Sequence, residues 1–412
     1  MYVAIMGYGV VGSGVAELLS KNHASIVKKS AQSQLELKYI LDIRDFSGDV
    51  NEKLMIKDFN IILNDPEVDI VVETMGGLYP AFEFVKACLE AGKSVVTSNK
   101  ELVAEKGYEL LKIAAEKNVN FLFEASVGGG IPIIRPISQC LAANEIDEIA
   151  GILNGTTNFI LTMMIEENMS FDDALKLAKE NGYAESDPTA DIEGIDACRK
   201  ICILASLCFG KHVYPDEVYT EGITKISLKD VEHAGTWGGV IKLIGYAFKI
   251  SDDKISVMVS PAIIKKQSQL AGVNGVFNAV LIRGDAIGDV VFYGKGAGKM
   301  PTASAVMADV IDCARHINSR QDFGWDDSQE NYLADYLENN VSLYVRAKTK
   351  DQAGAVESIQ KVFGDVRIIS MGSETDDEIV FVTPESTEKE LRTRLETLHL
   401  IEPVSIIRIL DY

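Results

Sequence analysis

Two hydrophobic periods take turns along the first third of the chain. Short apolar runs at 2–6 (YVAIM), 35–41 (LELKYIL), 69–73 (DIVVE), 94–97 (SVVT) and 120–124 (NFLFE) read as strands. Between them, 10–19, 80–91 and 101–117 carry apolar residues at helical spacing. Strands alternating with helices in this way predict a parallel, doubly wound sheet. Residues 1–128 are therefore read as a doubly wound α/β domain.

The pattern changes at Gly128-Gly129-Gly130-Ile131-Pro132, a glycine loop read as a hinge. A helix over 133–142, a strand over 147–153, a glycine-threonine turn over 154–158 and helices over 159–167, 171–181 and 195–209 are expected next. Residues 220–300 read mainly as strands with turns. Together 129–300 make a second α/β domain, and a helix over 301–318 is expected to pack back on the first. The end of the chain, 341–412, reads strand–helix–strand–strand–helix–strand, a separate ferredoxin-like unit behind the polar linker 320–340.

Composition narrows the chemistry. A chain of 412 residues with 47% apolar and 25% charged positions describes an ordinary globular protein of two or three domains. Its formal charge of −21 argues against nucleic acid as a partner. No run of about 18 apolar residues suggests a membrane span, and no basic leader precedes the first strand, so the expectation is a cytoplasmic protein. The 6 cysteines are sparse and mostly fall in apolar helical patterns. Cys198 and Cys202 are four apart, but no further Cys or His stands near them in sequence to complete a zinc site.

Against that background a few motifs carry chemistry. Gly7-Tyr8-Gly9-Val10-Val11-Gly12 is G-x-G-x-x-G between a strand and a helix, and it predicts a dinucleotide whose diphosphate meets Gly7, Gly9, Val11 and Gly12 at a helix N-terminus. Asp42, after the second strand, suits a ribose hydroxyl and NAD, although it lies farther from Gly12 than the usual ~20 positions. Arg44 or Lys57 suits a 2′-phosphate, and the balance leans to NADP. Ser98 and Lys100 leave the C-terminal end of a predicted parallel strand, where crevices form in such sheets. Lys100 falls in the first turn of a helix, against the dipole, and a residue placed against local preference points to function. A late glycine turn, Gly294-Lys295-Gly296-Ala297-Gly298, is positioned to meet the nicotinamide half of the dinucleotide. Carbonyls of the loop Glu124–Gly129 suit a monovalent cation, but sequence alone favours a domain hinge there. The run Gly182–Lys200 (GYAESDPTADIEGIDACRK) is densely acidic and ends in a helical pattern that puts Asp196 and Lys200 four apart on one face, either an exposed ion pair or a substrate and proton site.

Taken in order, GYGVVGSGV at 7–15, TSNKELVA at 97–104, EASVGGGIPII at 124–134, NGTTNFIL at 154–161, GYAESDPTADIEGIDACRK at 182–200 and GAGKMPTASAV at 296–306 resemble homoserine dehydrogenases of the form that carries a C-terminal ACT domain. The resemblance implies an NAD(P)H-dependent oxidoreductase that interconverts L-aspartate 4-semialdehyde and L-homoserine on the route to threonine and methionine. It implies Lys200 as proton donor with Lys100 as the second catalytic lysine. Glu185 and Asp196 would bind the substrate ammonium, with Gly182 lining the pocket. Glu124, Val127, Gly129 and Ile131 would hold a sodium ion, largely through main-chain oxygens. Two neighbouring lysines are expected to lower one another's pKa. The C-terminal unit would be an ACT domain open to an amino-acid effector, threonine foremost, and the assembly a homodimer or homotetramer. The alternative outside enzymes is a non-catalytic sensor of NAD(P)H and an amino acid, which would not require Lys100, Lys200, Glu185 and Asp196 together.

Overall fold

The computed structural model describes residues 1–328, 331–371 and 377–412. Its first sheet has six parallel strands in the order Met55–Ile56, Glu36–Leu41, Tyr2–Met6, Val68–Glu73, Ser94–Thr97, Phe121–Leu122. This is the doubly wound arrangement, with its switch point between Tyr2–Met6 and Val68–Glu73. Tyr2–Met6, Val68–Glu73, Ser94–Thr97 and Phe121–Leu122 are buried nearly end to end because helices cover both faces, while Glu36–Leu41 is buried only at Ile40 and Leu41. Helix Lys299–Arg315 returns from far along the sequence to complete one cover. It lies against helix Val10–Lys21, where Gly14 leaves no room for a side chain: a Cβ there would stand 3.0 Å from that of Ala303.

The second sheet is larger and mixed. It runs Gly288–Lys295, Phe277–Gly284, Ile146–Ile152, Gly239–Ser251, Lys254–Lys265, Glu402–Leu410, Asn340–Lys348, Glu378–Val382, Arg367–Met371. Helices Gly155–Glu166, Ile195–Phe209 and Leu228–Trp237 pack on it. The C-terminal βαββαβ segment is not set apart. Its last strand pairs in parallel with Lys254–Lys265 through Ala262–Arg408, Ile263–Ile409 and Ile264–Leu410, so one sheet runs across both parts. Buried ion pairs reinforce the join. Arg408 holds Glu388 of its own unit at 2.7 Å and Glu221 of the middle part at 2.9 Å, and Arg346 holds Asp230 at 2.8 Å.

Three local readings change. The helix expected over 133–142 is one π-helical turn, Pro136–Cys140. The Glu124 carboxylate caps the amides of residues 133–135, which have no acceptor within a first turn, and Leu141 N–H then bonds to Pro136 O five residues back, the π-helical spacing. The glycine-threonine turn over 154–158 is instead the first turn of helix Gly155–Glu166, whose N-cap Asn154 accepts from Thr157 N–H at 2.8 Å. The strand-rich stretch 220–300 also holds helix Leu228–Trp237, started by a reciprocal cap between Ser227 and Asp230.

Candidate active site at the seam between the sheets

The glycine turn after the first strand is built for close approach. Gly7 has φ +93°, and a Cβ on it would meet Met75 N at 2.8 Å; one on Gly12 would meet Gly7 O at 2.0 Å. Gly9 is different. The nearest atom to its would-be Cβ is an Arg44 nitrogen at 3.9 Å, so its main chain stays open to a ligand. Gly9 begins helix Val10–Lys21 and Gly298 begins helix Lys299–Arg315, and neither end has a side-chain cap. Two sets of free N–H groups therefore point toward the same region, the environment a diphosphate needs.

Two cavities meet at Val10. The outer, about 710 Å³, is lined by Tyr8, Gly9, Ser13, Arg44, Phe46, Asn51 and Lys299 among others. The inner, about 630 Å³, is lined by Val11, Ser98, Lys100, Val127, Gly129, Asn154, Thr156, Gly182, Asp191, Asp196, Lys200, Gly298 and Thr302 among others. In the outer cavity Arg44 grips Asp42 through Nε at 3.0 Å and a terminal nitrogen at 2.7 Å, while Tyr8 N–H donates to the same carboxylate at 2.7 Å. Hydrogen bonding from Arg44 holds the Asp42 carboxyl well below the usual range. The Arg44 guanidinium also lies over the Phe46 ring, 5.1 Å from its centroid.

In the inner cavity the two halves of the molecule share a charge. Lys100 opens helix Lys100–Lys117 on the first sheet, and Asp196 and Lys200 lie on helix Ile195–Phe209 on the second. Lys100 Nζ stands 2.7 Å from Asp196 Oδ1, and Lys200 Nζ donates to Oδ2 at 2.7 Å and to Leu153 O at 2.8 Å. Asn154 Nδ2 donates to Asp196 Oδ2 at 2.8 Å and to Asp191 Oδ1 at 2.7 Å. Thr156 Oγ1 donates to Tyr183 O at 2.6 Å, pinning the turn that carries Gly182.

The shared carboxylate changes the electrostatics expected from two adjacent lysines. The Asp196 charge raises Lys100 above the usual lysine value, against the opposing pull of desolvation. Burial lowers Lys200, with the Lys100 charge acting the same way and Asp196 opposing. Burial works to raise Asp196, but the charges of Lys200 and Lys100 overcome it and hold the carboxyl ionised well below its ordinary range. Burial raises Asp191, opposed by the Asn154 hydrogen bond. One seam thus holds a retained carboxylate, a high-pKa ammonium and a buried ammonium whose proton is easier to release.

Glu185 stands apart: it is exposed and does not line the inner cavity. Asp191 occupies the ground where a second carboxylate was expected, and it was legible only as one member of the acidic run. Asn154 was also passed over, although an Asn just before a helical pattern is a cap signal. In the glycine loop, the Glu124 side chain accepts from Ile133 N at 2.6 Å, Ile134 N at 2.9 Å and Arg135 N at 2.9 Å. Oε1 takes two amides and Oε2 one, which ties the carboxylate to the main chain and leaves a cation at this loop mainly main-chain oxygens. Among the described residues no group of three or more His, Cys, Asp or Glu side chains is placed to hold a metal ion, and no helix is long and apolar enough to cross a membrane.

Known proteins resemble the chain over its whole length. Residues 7–124 match the family model described as homoserine dehydrogenase, NAD binding domain, and 132–311 match the model described as homoserine dehydrogenase. The chain is 38% identical to a homoserine dehydrogenase of Synechocystis sp., covering 99% of each chain. It is 37% identical to one of Pseudomonas aeruginosa, covering 99% of this chain and 98% of that one. Among solved structures, a homoserine dehydrogenase from Thiobacillus denitrificans superposes with a TM-score of 0.91 at 35% identity, covering 100% of this chain and 98% of that one. A hyperthermophilic archaeal homoserine dehydrogenase in complex with NADPH superposes with a TM-score of 0.63 at 30% identity, covering 76% of this chain and 97% of that one.

Proposed function

Since the chain belongs to the homoserine dehydrogenase family, and with it to the NAD(P)-dependent oxidoreductases, we propose that Lys200 is the proton donor in its interconversion of L-aspartate 4-semialdehyde and L-homoserine. The observation that carries this reading is the Asp196 carboxylate held between Lys100 and Lys200 on the wall of the inner cavity. An ammonium has three donors. Lys200 commits two, to Asp196 and Leu153 O, which leaves one for a substrate oxygen. A reduced dinucleotide held at Gly9 and Gly298 would supply the hydride for the aldehyde carbon, leaving negative charge to grow on the oxygen. Lys200 stabilises that charge and delivers the proton, and its lowered pKa favours the delivery. Lys100 keeps its proton and supplies a fixed positive charge beside the same oxygen.

Asp196 orients both lysines. Asp191, turned into the cavity by Asn154, takes the substrate ammonium, and the Gly182 turn forms the wall beside it. Glu185, on the exposed rim, adds to the negative field that draws the ammonium end inward. Gly7, Gly9, Val11, Gly12, Ser98 and Gly298 are assigned to the dinucleotide, supported by the open Gly9 main chain and the two uncapped helix ends. For the 2′-phosphate of NADP we assign Arg44, which exchanges Asp42 for the phosphate. No step is derived through a sodium ion. Of the four residues named for it, Glu124 has its carboxylate tied to the main chain, so a cation at this loop is left mainly main-chain oxygens, with Val127, Gly129 and Ile131.

The middle sheet is assigned to substrate binding and pairing of two copies. The C-terminal βαββαβ unit is assigned as an ACT module that senses an end product such as threonine, which would place the enzyme on the route to threonine and methionine. The test is an absorbance assay at the nicotinamide band with aspartate semialdehyde and NADPH or NADH, with and without threonine. Coenzyme oxidation is expected with both, faster with NADPH, and slower with threonine present. Binding of NADPH without its oxidation would overturn the reading.

A further inference from the structure

The seam between the sheets is crossed by a second ion pair that no catalytic role explains. Arg199 on helix Ile195–Phe209 holds Glu101 Oε1, on helix Lys100–Lys117, at 2.8 Å. Each is the sequence neighbour of a lysine that grips Asp196. The two contacts have opposite polarity. At Lys100–Asp196 the first helix gives the cation, and at Glu101–Arg199 it gives the anion. A one-residue slip of the first helix would set Glu101 against Asp196 in one direction, or Lys100 against Arg199 in the other, like charge against like either way. Such a crossed pattern selects one register by repulsion as well as attraction.

We infer that Glu101 and Arg199 are positioning residues for the reaction, locking the helix that carries Lys100 against the helix that carries Lys200. Neither lines the cavity, so they act through their neighbours. Their side chains are 30% and 23% exposed, enough to be screened, so the pair contributes geometry more than stability. The lysines come from different sheets, and a displacement on the order of 1 Å between them can cost as much as 10²-fold in rate.

This inference rests on Lys200 being the proton donor. The experiment uses the full chain as Glu101→Ala, Arg199→Ala, the exchange Glu101→Arg with Arg199→Glu, and Lys200→Ala, measuring kcat, both KM values and NADPH affinity by nucleotide fluorescence. Each single substitution is expected to lower kcat about tenfold while NADPH affinity stays within about twofold, and the exchange to return kcat to within about threefold of wild type. Single variants within about twofold of wild-type kcat, or an exchange no better than the singles, would overturn it. If a single variant fails to fold, the exchange decides: restored turnover supports the lock, and an inactive exchange that still binds NADPH rejects it. Should Lys200→Ala stay active, the underlying reading falls instead; an inactive Lys200→Ala beside silent Glu101 and Arg199 variants refutes this inference alone.

Discussion

Lys100 and Lys200 hold opposite oxygens of the same carboxylate, each at 2.7 Å, although one is fixed to the parallel sheet and the other to the mixed sheet. The site exists only when both sheets are docked. One charge between two ammoniums also makes the lysines unequal, with Lys100 raised and Lys200 lowered.

Removing Lys200 tests the proton donor directly. Lys200→Ala is expected to abolish turnover with NADPH affinity nearly intact, since its hydrogen bonds are to Asp196 and Leu153 O. A variant retaining more than about a tenth of wild-type kcat, a loss under ~1.4 kcal/mol, would reject the role.

The pH profile follows from Asp196. With Lys200 as the proposed proton donor, aldehyde reduction is expected to slow as pH rises through the Lys200 pKa. Asp196→Asn removes the charge that opposes desolvation at Lys200 and raises Lys100. The alkaline limb of kcat/KM for reduction should therefore move to lower pH, by about one unit or more. An unmoved limb would show that the titrating group lies elsewhere.

Asn154 connects a fold signal to the substrate. Its Oδ1 caps a helix while its Nδ2 separates Asp191 from Asp196. Asn154→Leu should cost about 1 kcal/mol for the lost cap, seen in thermal unfolding. The two carboxylates would then face each other without a donor between them, and KM for aspartate semialdehyde should rise at least about tenfold. An unchanged KM would remove Asp191 from the substrate pocket.

The proposed assignment of Arg44 to the 2′-phosphate sets an expectation for coenzyme choice. Arg44→Ser is expected to raise KM for NADPH about tenfold or more and to change KM for NADH far less, because only the phosphate loses a partner. Equal effects on both coenzymes would assign the 2′-phosphate to another residue.

Gly129 has φ +56°, and a Cβ on it would stand 2.3 Å from Gly296 O, so the two glycine loops interlock. Gly129→Ala should destabilise the chain by about 1–3 kcal/mol and weaken coenzyme binding. Calorimetry showing no loss would mean the loops part easily.

The first sheet was readable because its signals are local: Val/Ile runs of strand length, glycines at fixed spacing and helices of the right period. The Asp196–Lys200 pair was readable for the same reason, being one turn of a single helix. Asp191 was hidden among five neighbouring carboxylates, whose separation into cavity and rim depends on how the 182–194 segment folds back. The helix expected over 133–142 shortens to one π-helical turn because Leu141 N–H bonds to Pro136 O, five residues back, a choice that hydrophobic spacing does not show. The lysine electrostatics needed coordinates, since sequence pairs Asp196 with Lys200 but does not show Lys100 reaching the same carboxylate from the other sheet.

The strand Glu402–Leu410 also finishes something begun 140 positions earlier: it covers the flank of Lys254–Lys265 at Ala262–Ile264. Cutting the chain before Glu402 would bare those amides and carbonyls to any passing strand. The trimmed protein would be prone to stick to itself whatever became of its chemistry, unless that raw flank were first blunted with a charge or a proline.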